Sequence, residues 1–395
     1  MIILTYNSME KKSFWDTKPV LHNNEIATIS CGIEDLSHRK LYNNSEQIAL
    51  PNIMKWENIN IDNQDNNNKI CQFLNKHYDS DPRIKFTSQL LELILGLRYV
   101  VLGVVRTDNN TLCGIIGCSI HNTVIYDKKK VFANVVLLCA HGKYRKKNMT
   151  QTMINELIRY LYVNHNISYG IFSSTKKFFK PISVYSTYIR PINYIKLCDA
   201  RFIEKVPNSE QIHKNLIVNG TPADNYIPMK ESRLNDVYSI YIKFISRFNL
   251  YYEYTKEEFF YLLTNKHVKS YVITEDDKIV DFVSYYTVQY EGAVGDINAG
   301  HLFLYTSNIE CGDLIMQNLL KIIANDVDVL IVNDMGTIGN ILLTTKYKNV
   351  NEDSDQETYT KIYEHKFLKK KKIYINFFNW KTPYLSSNLI SLFSL

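Results

Sequence analysis

The chain has 395 residues, 45% of them hydrophobic and 22% charged, with a formal net charge of +6. That composition excludes wholesale disorder and is enough for the core of one large or two medium domains. The charge suits an anionic ligand but does not indicate nucleic acid without a clear basic face, and no nucleic-acid partner is expected. The 7 cysteines are scattered singly with no C-x-x-C pair, which reads as reduced thiols rather than a disulfide framework or a zinc site. Neither a signal peptide nor an apolar run of membrane-spanning length is present, so a cytoplasmic protein without stable membrane insertion is expected.

In chain order, the Asn-rich stretch Asn58 to Lys69 reads as a solvated loop. Tyr99 to Arg106 and Cys113 to Tyr126 are apolar, β-branched runs joined by the turn Thr107-Asp108-Asn109-Asn110, a hairpin signal. A third strand is predicted over Val131 to Ala140 and a helix over Met149 to Asn164, with Met153, Leu157 and Leu161 as its apolar stripe. Tyr169 to Ser173 reads as a further strand. The second half repeats this order: strands Tyr271 to Thr274 and Ile279 to Val288 around a second hairpin turn, strand His301 to Thr306, helix Cys311 to Asn325, strand Asp328 to Asn333. The halves share an order of parts rather than residue identities. Two copies of a mixed α/β unit are expected.

The copies differ at the strand-to-helix turn. In the first it is His141-Gly142-Lys143-Tyr144-Arg145-Lys146-Lys147-Asn148, where main-chain N–H groups at a helix start join four basic side chains, a combination suited to a pyrophosphate. In the second, Ser307 to Asp313, the turn is acidic. One anionic-ligand site, in the first half, is the expectation, and a solvated basic turn is the alternative. At the end of the chain, Leu389 to Leu395 is a short apolar tail. Docked inward, it would carry a desolvated α-carboxylate able to act as a base; an ordinary packing element is the alternative.

Six short motifs then stand in a familiar order. They are Phe14-Trp15-Asp16-Thr17-Lys18-Pro19-Val20, Leu50-Pro51 through Trp56, Gln72 to Tyr78, Val135-Val136-Leu137-Leu138-Cys139-Ala140-His141, Asp281 to Thr287, and Asn379-Trp380-Lys381. In these motifs the chain resembles eukaryotic-type glycylpeptide N-myristoyltransferases over nearly its whole length, as a divergent member. The resemblance implies a mixed α/β fold of two fused acetyltransferase-like (GNAT-type) units in one compact enzyme. It also implies an acyl-CoA-binding half over residues 1–204, and a half over 205–395 that binds peptide and carries the catalytic C-terminus. The implied activity moves a myristoyl group from myristoyl-CoA, a co-substrate, to the N-terminal glycine of nascent or newly cleaved proteins, with no cofactor and no metal.

Carried over by position, the main-chain N–H groups of Leu137 and Leu138 would form an oxyanion hole, Ser173 would lie near the reacting atoms, and the Leu395 carboxylate would be the base. Ser13, Phe14, Trp15, Cys139, Ala140, Arg145, Lys146, Lys147, Asn148, Met149 and Thr150 would hold acyl-CoA. Asp79, Asp81, Ile84, Phe86 and Tyr188 would face the peptide. Cys139 reads as a structural thiol, since no His/Asp pattern surrounds it.

The departures from the family cluster in the peptide region. Its acidic run is reduced to Asp79-Ser80-Asp81, its Y-W-H is Thr187-Tyr188-Ile189, and its K-F-G-x-G-D-G loop is missing after Lys346-Tyr347. An insertion with Glu352, Asp353 and Asp355, followed by the run Lys369 to Lys372, stands there instead; both read as solvated. Two other functions share the fold: an inactive scaffold for acyl-CoA or myristoylated peptides, and an acyltransferase of different acyl or amine specificity.

Overall fold

The computed structural model describes residues 13–34, 42, 44–145, 147–205, 207, 209–308, 312–338 and 368–392. The second half of the chain repeats the first over ten elements. In the first half, strand Met54–Asn58 is followed by helix α1 (Gln64–His77), strand Arg83–Lys85, helix α2 (Ser88–Leu95) and strands β1 (Tyr99–Arg106), β2 (Leu112–Ile125) and β3 (Lys128–Ala140). Helix α3 (Met149–His165), β4 (Tyr169–Ser174) and β5 (Ser183–Pro191) complete it. In the second half, strand Tyr226–Pro228 is followed by α4 (Leu234–Ile245), strand Leu250–Tyr252, α5 (Lys256–Leu263), β6 (Val268–Glu275), β7 (Lys278–Glu291) and β8 (Ile297–Tyr305). Then come α6 (Gly312–Ile323), β9 (Val329–Asn333) and β10 (Leu368–Phe378).

These strands join one mixed sheet in the order β1-β2-β3-β4-β10-β5-β9-β8-β7-β6. Read from either end, the order and the directions match: two antiparallel pairs, then a parallel pair, then antiparallel pairs through the centre. The centre is an exchange. β10 of the second half lies against β4 of the first, and β5 of the first lies against β9 of the second. A second exchange occurs at the rims, where Arg83–Lys85 extends β7 and Leu250–Tyr252 extends β2.

Local chemistry accounts for the elements. Asp276 and Asp277 both adopt positive φ, 48° and 63°, the conformation that a two-residue hairpin turn between β6 and β7 requires. The Asn63 side chain caps α1 by accepting from the N–H groups of Asp65 and Asn66, and Thr255 with Glu258 forms a reciprocal capping box on α5. The largest apolar cluster draws from both halves, placing Leu91, Ile94 and Val101 with Phe259, Phe282 and Tyr286. The exchanged strands and this shared cluster bury the repeats as one core.

The strands and helices expected in both halves are present. The Asn tract is a correction: α1 begins inside it, and Asn67 is buried, donating to the Ile61 carbonyl and accepting from Cys71 Sγ. Composition made the segment look like a loop, but a cap at Asn63 and the apolar face Ile70, Cys71, Phe73 and Leu74 make it a helix. The acidic insertion around Glu352, Asp353 and Asp355 lies outside the described residues.

Candidate functional site

The main opening lies where β3 and β4 part. They pair in parallel only where Phe132–Asn134 faces Tyr169–Ile171, after which β3 runs on to Ala140 and β4 to Ser174. At this pinch Gly170 lets β10 approach closely, since an added Cβ would stand 3.3 Å from Phe378 Cβ. A bulge follows on β3: Cys118 of β2 faces Val135 and Gly117 faces Leu137, which leaves Val136 as the extra residue. The resulting cleft measures about 1020 Å³, at the upper end for small-molecule sites.

The walls are built by sequence period. α3 turns Ile154, Leu157, Ile158 and Leu161 toward the cleft, giving it an aliphatic floor. Of the stripe read from sequence, Met153 is buried away from the cleft, while Leu157 and Leu161 are buried and also border it, beside Ile154 and Ile158 of the adjacent face. One rim is the short helix Phe14–Thr17. Trp15 stacks on Phe172 at 5.3 Å and packs on Phe179 at 5.2 Å, while Lys18 Nζ donates to Asn155 Oδ1 of α3 at 2.5 Å. Ser13, Phe14 and Trp15 thus line the cleft, as do Leu137, Leu138, Thr150 and Ser173.

The main chain of β3 offers donors on the open side. His141 N–H donates to the Cys113 carbonyl, and in the alternation of an antiparallel ladder this turns the N–H of Leu138 away from β2, toward the gap. Leu137 stands directly after the bulge, where the alternation is interrupted. Cys139 alternates into the core, and burial pushes its thiol up to about 11, so it is no thiolate nucleophile near neutral pH. Ala140 ends the strand and is buried.

The basic turn leads into α3, whose first residue to border the cleft is Thr150; Cys139, Ala140, Arg145, Lys147, Asn148 and Met149 do not line it. Asn148 adopts φ 58° ahead of the first helical residue and makes no side-chain cap, leaving early N–H groups of the helix to be satisfied from outside it. Met149 points into the core and Lys147 lies over the Tyr144 ring at 5.9 Å. Lys146 lies outside the described residues. The surroundings are electropositive. The His77 and His141 rings sit 4.2 Å apart, and partial burial together with Lys76, Arg145 and Lys143 holds both below the usual imidazole range. Arg145 is engaged within the protein, donating to the Asp79 carboxylate at 3.2 Å, to the His77 carbonyl and to the Ala140 carbonyl at 3.3 Å. Two residues expected to serve different substrates, Arg145 and Asp79, are therefore paired with each other.

The expected peptide residues divide. Asp79 and Asp81 line the cleft's lip, whereas Ile84 pairs with Tyr290 on the strand Arg83–Lys85 and Phe86 is buried against Tyr78. Tyr188, on β5, is buried with Val283 and Tyr285. These three do not border the cleft. Near the chain's end, the Asn379 side chain bridges both main-chain groups of Glu34, and Trp380 Nε1 donates to Ser30 Oγ at 3.0 Å. Ile390 and Ser391 then pair in parallel with Leu250 and Tyr251, and Leu392 packs against the core. Leu395 lies outside the described residues.

Sequence reasoning missed three cleft-lining cations, Lys176, Lys177 and Lys371. Lys371 belongs to the run read as solvated; only the pairing of β10 with β4 brings it to the cleft. The Lys176-Lys177 pair was visible as a charge doublet following a strand.

Comparison with known proteins places this geometry. The N-terminal domain model of myristoyl-CoA:protein N-myristoyltransferase matches residues 35–185, and the C-terminal domain model matches 200–388. A probable glycylpeptide N-tetradecanoyltransferase of Caenorhabditis elegans is 28% identical over 316 residues, covering 74% of this chain and 70% of the relative. The Aspergillus fumigatus glycylpeptide N-tetradecanoyltransferase is 25% identical over 354 residues, covering 82% and 70%. The crystal structure of Saccharomyces cerevisiae N-myristoyltransferase with bound myristoyl-CoA superposes with a TM-score of 0.79 over 95% of this chain and 89% of that one, at 19% identity, a likeness of fold. Two family models in consecutive order across most of the chain, on a fold with this splayed cleft, make the chain a member of the myristoyl-CoA:protein N-myristoyltransferase family.

Proposed function

We propose that the protein is an acyltransferase that moves a myristoyl group from myristoyl-CoA to the α-amine of an N-terminal glycine. The observation that carries this reading is the cleft between β3 and β4, which combines an aliphatic floor, an open main-chain edge and a basic mouth. The acyl chain lies along Ile154, Leu157, Ile158 and Leu161, where each methylene withdrawn from water contributes about 0.8 kcal/mol. The phosphates of CoA meet the turn before α3, held by Lys146, Lys147 and Asn148, with the N–H groups of Met149 and Thr150 behind them. Arg145 spends three of its five N–H groups on Ala140, Asp79 and His77 and joins them with the other two. Phe14 and Trp15, with Ser13, close over the other end.

The thioester carbonyl oxygen accepts from the main chain of Leu138, with Leu137 beside it, and Ser173 stands on the facing strand. The glycine enters as an ammonium. Once a base takes a proton, the amine nitrogen attacks the carbonyl carbon and the C–N bond forms; the nitrogen then gives up a second proton as the C–S bond breaks, and CoA takes up a proton and leaves as a thiol. The buried Cys139 thiol argues for this direct attack over an acyl-enzyme. The base is the α-carboxylate of Leu395. An α-amine has a pKa near 8 and a carboxyl terminus near 3.5, so transfer is uphill in water, and desolvating the carboxylate narrows the gap. The docking of Ile390 to Leu392 into the core, three residues before the terminus, supports this assignment. No cofactor enters the scheme. The substrates are newly made or newly cleaved proteins with an exposed glycine, met in the cytoplasm.

Transfer of labelled myristate from myristoyl-CoA to a panel of Gly-initiated peptides tests the reading, comparing the intact chain with one lacking Leu395. Transfer by the intact chain that the truncation loses, with acyl-CoA still bound, supports both activity and base. Binding without transfer to any peptide contradicts it.

A further inference from the structure

From the cleft's charge distribution we infer that Lys371 is a specificity-determining residue, selecting peptides that carry an acidic side chain downstream of the N-terminal glycine. The inference rests on the acyl-transfer reading and concerns its second substrate.

Lys371 reaches the cleft by a particular route. β10 pairs with β4 only from Tyr374 onward, where Tyr374 faces Ser174. Before that point β10 is bordered by β5 on one side, and Lys371, opposite Thr187, stands beyond the end of β4 at the lip. The register between β10 and β5 shifts here: Lys369 faces Tyr188 and Lys371 faces Thr187, so Lys370 is the extra residue of a bulge. Bulges beside a site re-aim the side chain that follows. The Lys371 ammonium donates to the main-chain carbonyl of Asp81, across the lip. An ammonium has three donors, so two remain after that bond. Among the described residues no carboxylate lies within ion-pair distance of Lys371.

The acidic side chains at this lip are already committed or outweighed. Asp79 is matched by Arg145 at 3.2 Å. Farther along the neighbouring strand Arg83–Lys85, Arg83 and Lys85 pair with Glu291 and Asp296. Asp79 and Asp81 are the carboxylates lining the cleft, against Lys176, Lys177 and Lys371. Arg145 keeps Asp79 matched when CoA binds, and Lys176 and Lys177 stand on the Trp15 wall, near Phe178. Lys371 stays at the Asp79–Asp81 lip, where the peptide enters. A substrate lysine there would meet an ammonium that has no carboxylate partner among the described residues, whereas a substrate carboxylate would gain a charge-assisted hydrogen bond.

The test uses pairs of Gly-initiated peptides identical except for Glu or Lys at one downstream position, with the full chain and its Lys371→Glu and Lys371→Ala variants. Because Lys371 is exposed, both variants are expected to fold, and thermal unfolding checks that. The wild type is expected to favour the Glu peptide about tenfold in kcat/KM. Lys371→Ala removes the preference and Lys371→Glu reverses it, with myristoyl-CoA affinity held within twofold. Equal transfer to both peptides, or a preference that survives Lys371→Glu, overturns the assignment. Weakened myristoyl-CoA binding with unchanged peptide choice also overturns it, and moves Lys371 to the phosphates of CoA. If no peptide is acylated, the acyl-transfer reading fails by itself. Fluorescence anisotropy of the two peptides on the myristoyl-CoA-saturated protein still reads the charge preference, and equal binding there rejects it.

Discussion

The two copies of the repeat part their strands at equivalent places and reach opposite results. In the first, β3 and β4 separate beyond Phe132–Asn134 and leave a cleft of about 1020 Å³. In the second, β8 and β9 separate beyond Ala299–His301, yet the space there is about 50 Å³. The backbone frame is shared, so the side chains decide. Tyr305 fills the second opening and its hydroxyl accepts from Thr337 Oγ1 and the Ile338 N–H, while Ile390, Ser391 and Leu392 close the rest. The first opening has aliphatic side chains on one wall and no such plug among the described residues. A duplicated splay thus becomes a ligand cleft in one copy and a seat for the chain's own tail in the other.

The largest effect comes from cutting the comparison in two. Residues 1–204 and 205–395, made separately, are expected to lack cooperative unfolding, because each would lose strands from the other at the centre and at the rim. Co-expression should restore it. A half that unfolds cooperatively alone would refute the account of the exchange. Next, lengthening or shortening the acyl chain of the CoA ester should change affinity by about 0.8 kcal/mol per methylene up to the length that fills the floor. Isothermal titration with a chain-length series reads this directly, and a flat series would dissociate the aliphatic floor from the acyl group.

Within the filled copy, Tyr305→Phe strands the buried Ile338 N–H and should lower stability by about 1–3 kcal/mol without touching acyl-CoA affinity. The same copy carries a pH signature. Burial holds His301, stacked on Tyr286 and bonded to the Tyr290 hydroxyl, at about 3. Its folded pKa lies below the unfolded value near 6.5, so its contribution is fully present above pH 6.5. As pH falls toward 3 it is lost, at up to about 1.4 kcal/mol per pH unit. Denaturant titrations at pH 7 and pH 5.5 should show that slope, to which His121, also held at about 3 by burial, adds, and His301→Gln should reduce it by the His301 share. The smallest effect belongs to the exposed Arg145–Asp79 pair, whose double-mutant coupling should not exceed about 1 kcal/mol.

Much of this was legible in the sequence, and the illegible parts have physical reasons. The β1–β2 and β6–β7 hairpins, the α3 and α6 helices and the strands around them follow from local period and turn chemistry. Phe14-Trp15, Leu137-Leu138 and Ser173, grouped in the sequence only by motif order, lie along one cleft. The exchange of β5 and β10 was not readable, because pairing partners so distant in sequence leave no local trace. Nor was the direction of Lys371, which depends on a bulge and on where β4 ends. Phe86 and Tyr188 carry aromatic rings that suit a peptide wall or a core equally, and the packing puts them in the core. The helix through the Asn tract shows composition yielding to a cap and an apolar face.

The central claim is that the first opening, and not its counterpart, receives the acyl donor. Titration of myristoyl-CoA into Ile158→Trp, which fills the aliphatic floor, and into Met335→Trp, which burdens the second opening, tests it against the parent chain. The account predicts that Ile158→Trp loses binding while its cooperative unfolding persists, and that Met335→Trp binds as the parent does even where its stability falls. Undiminished binding to Ile158→Trp would contradict it.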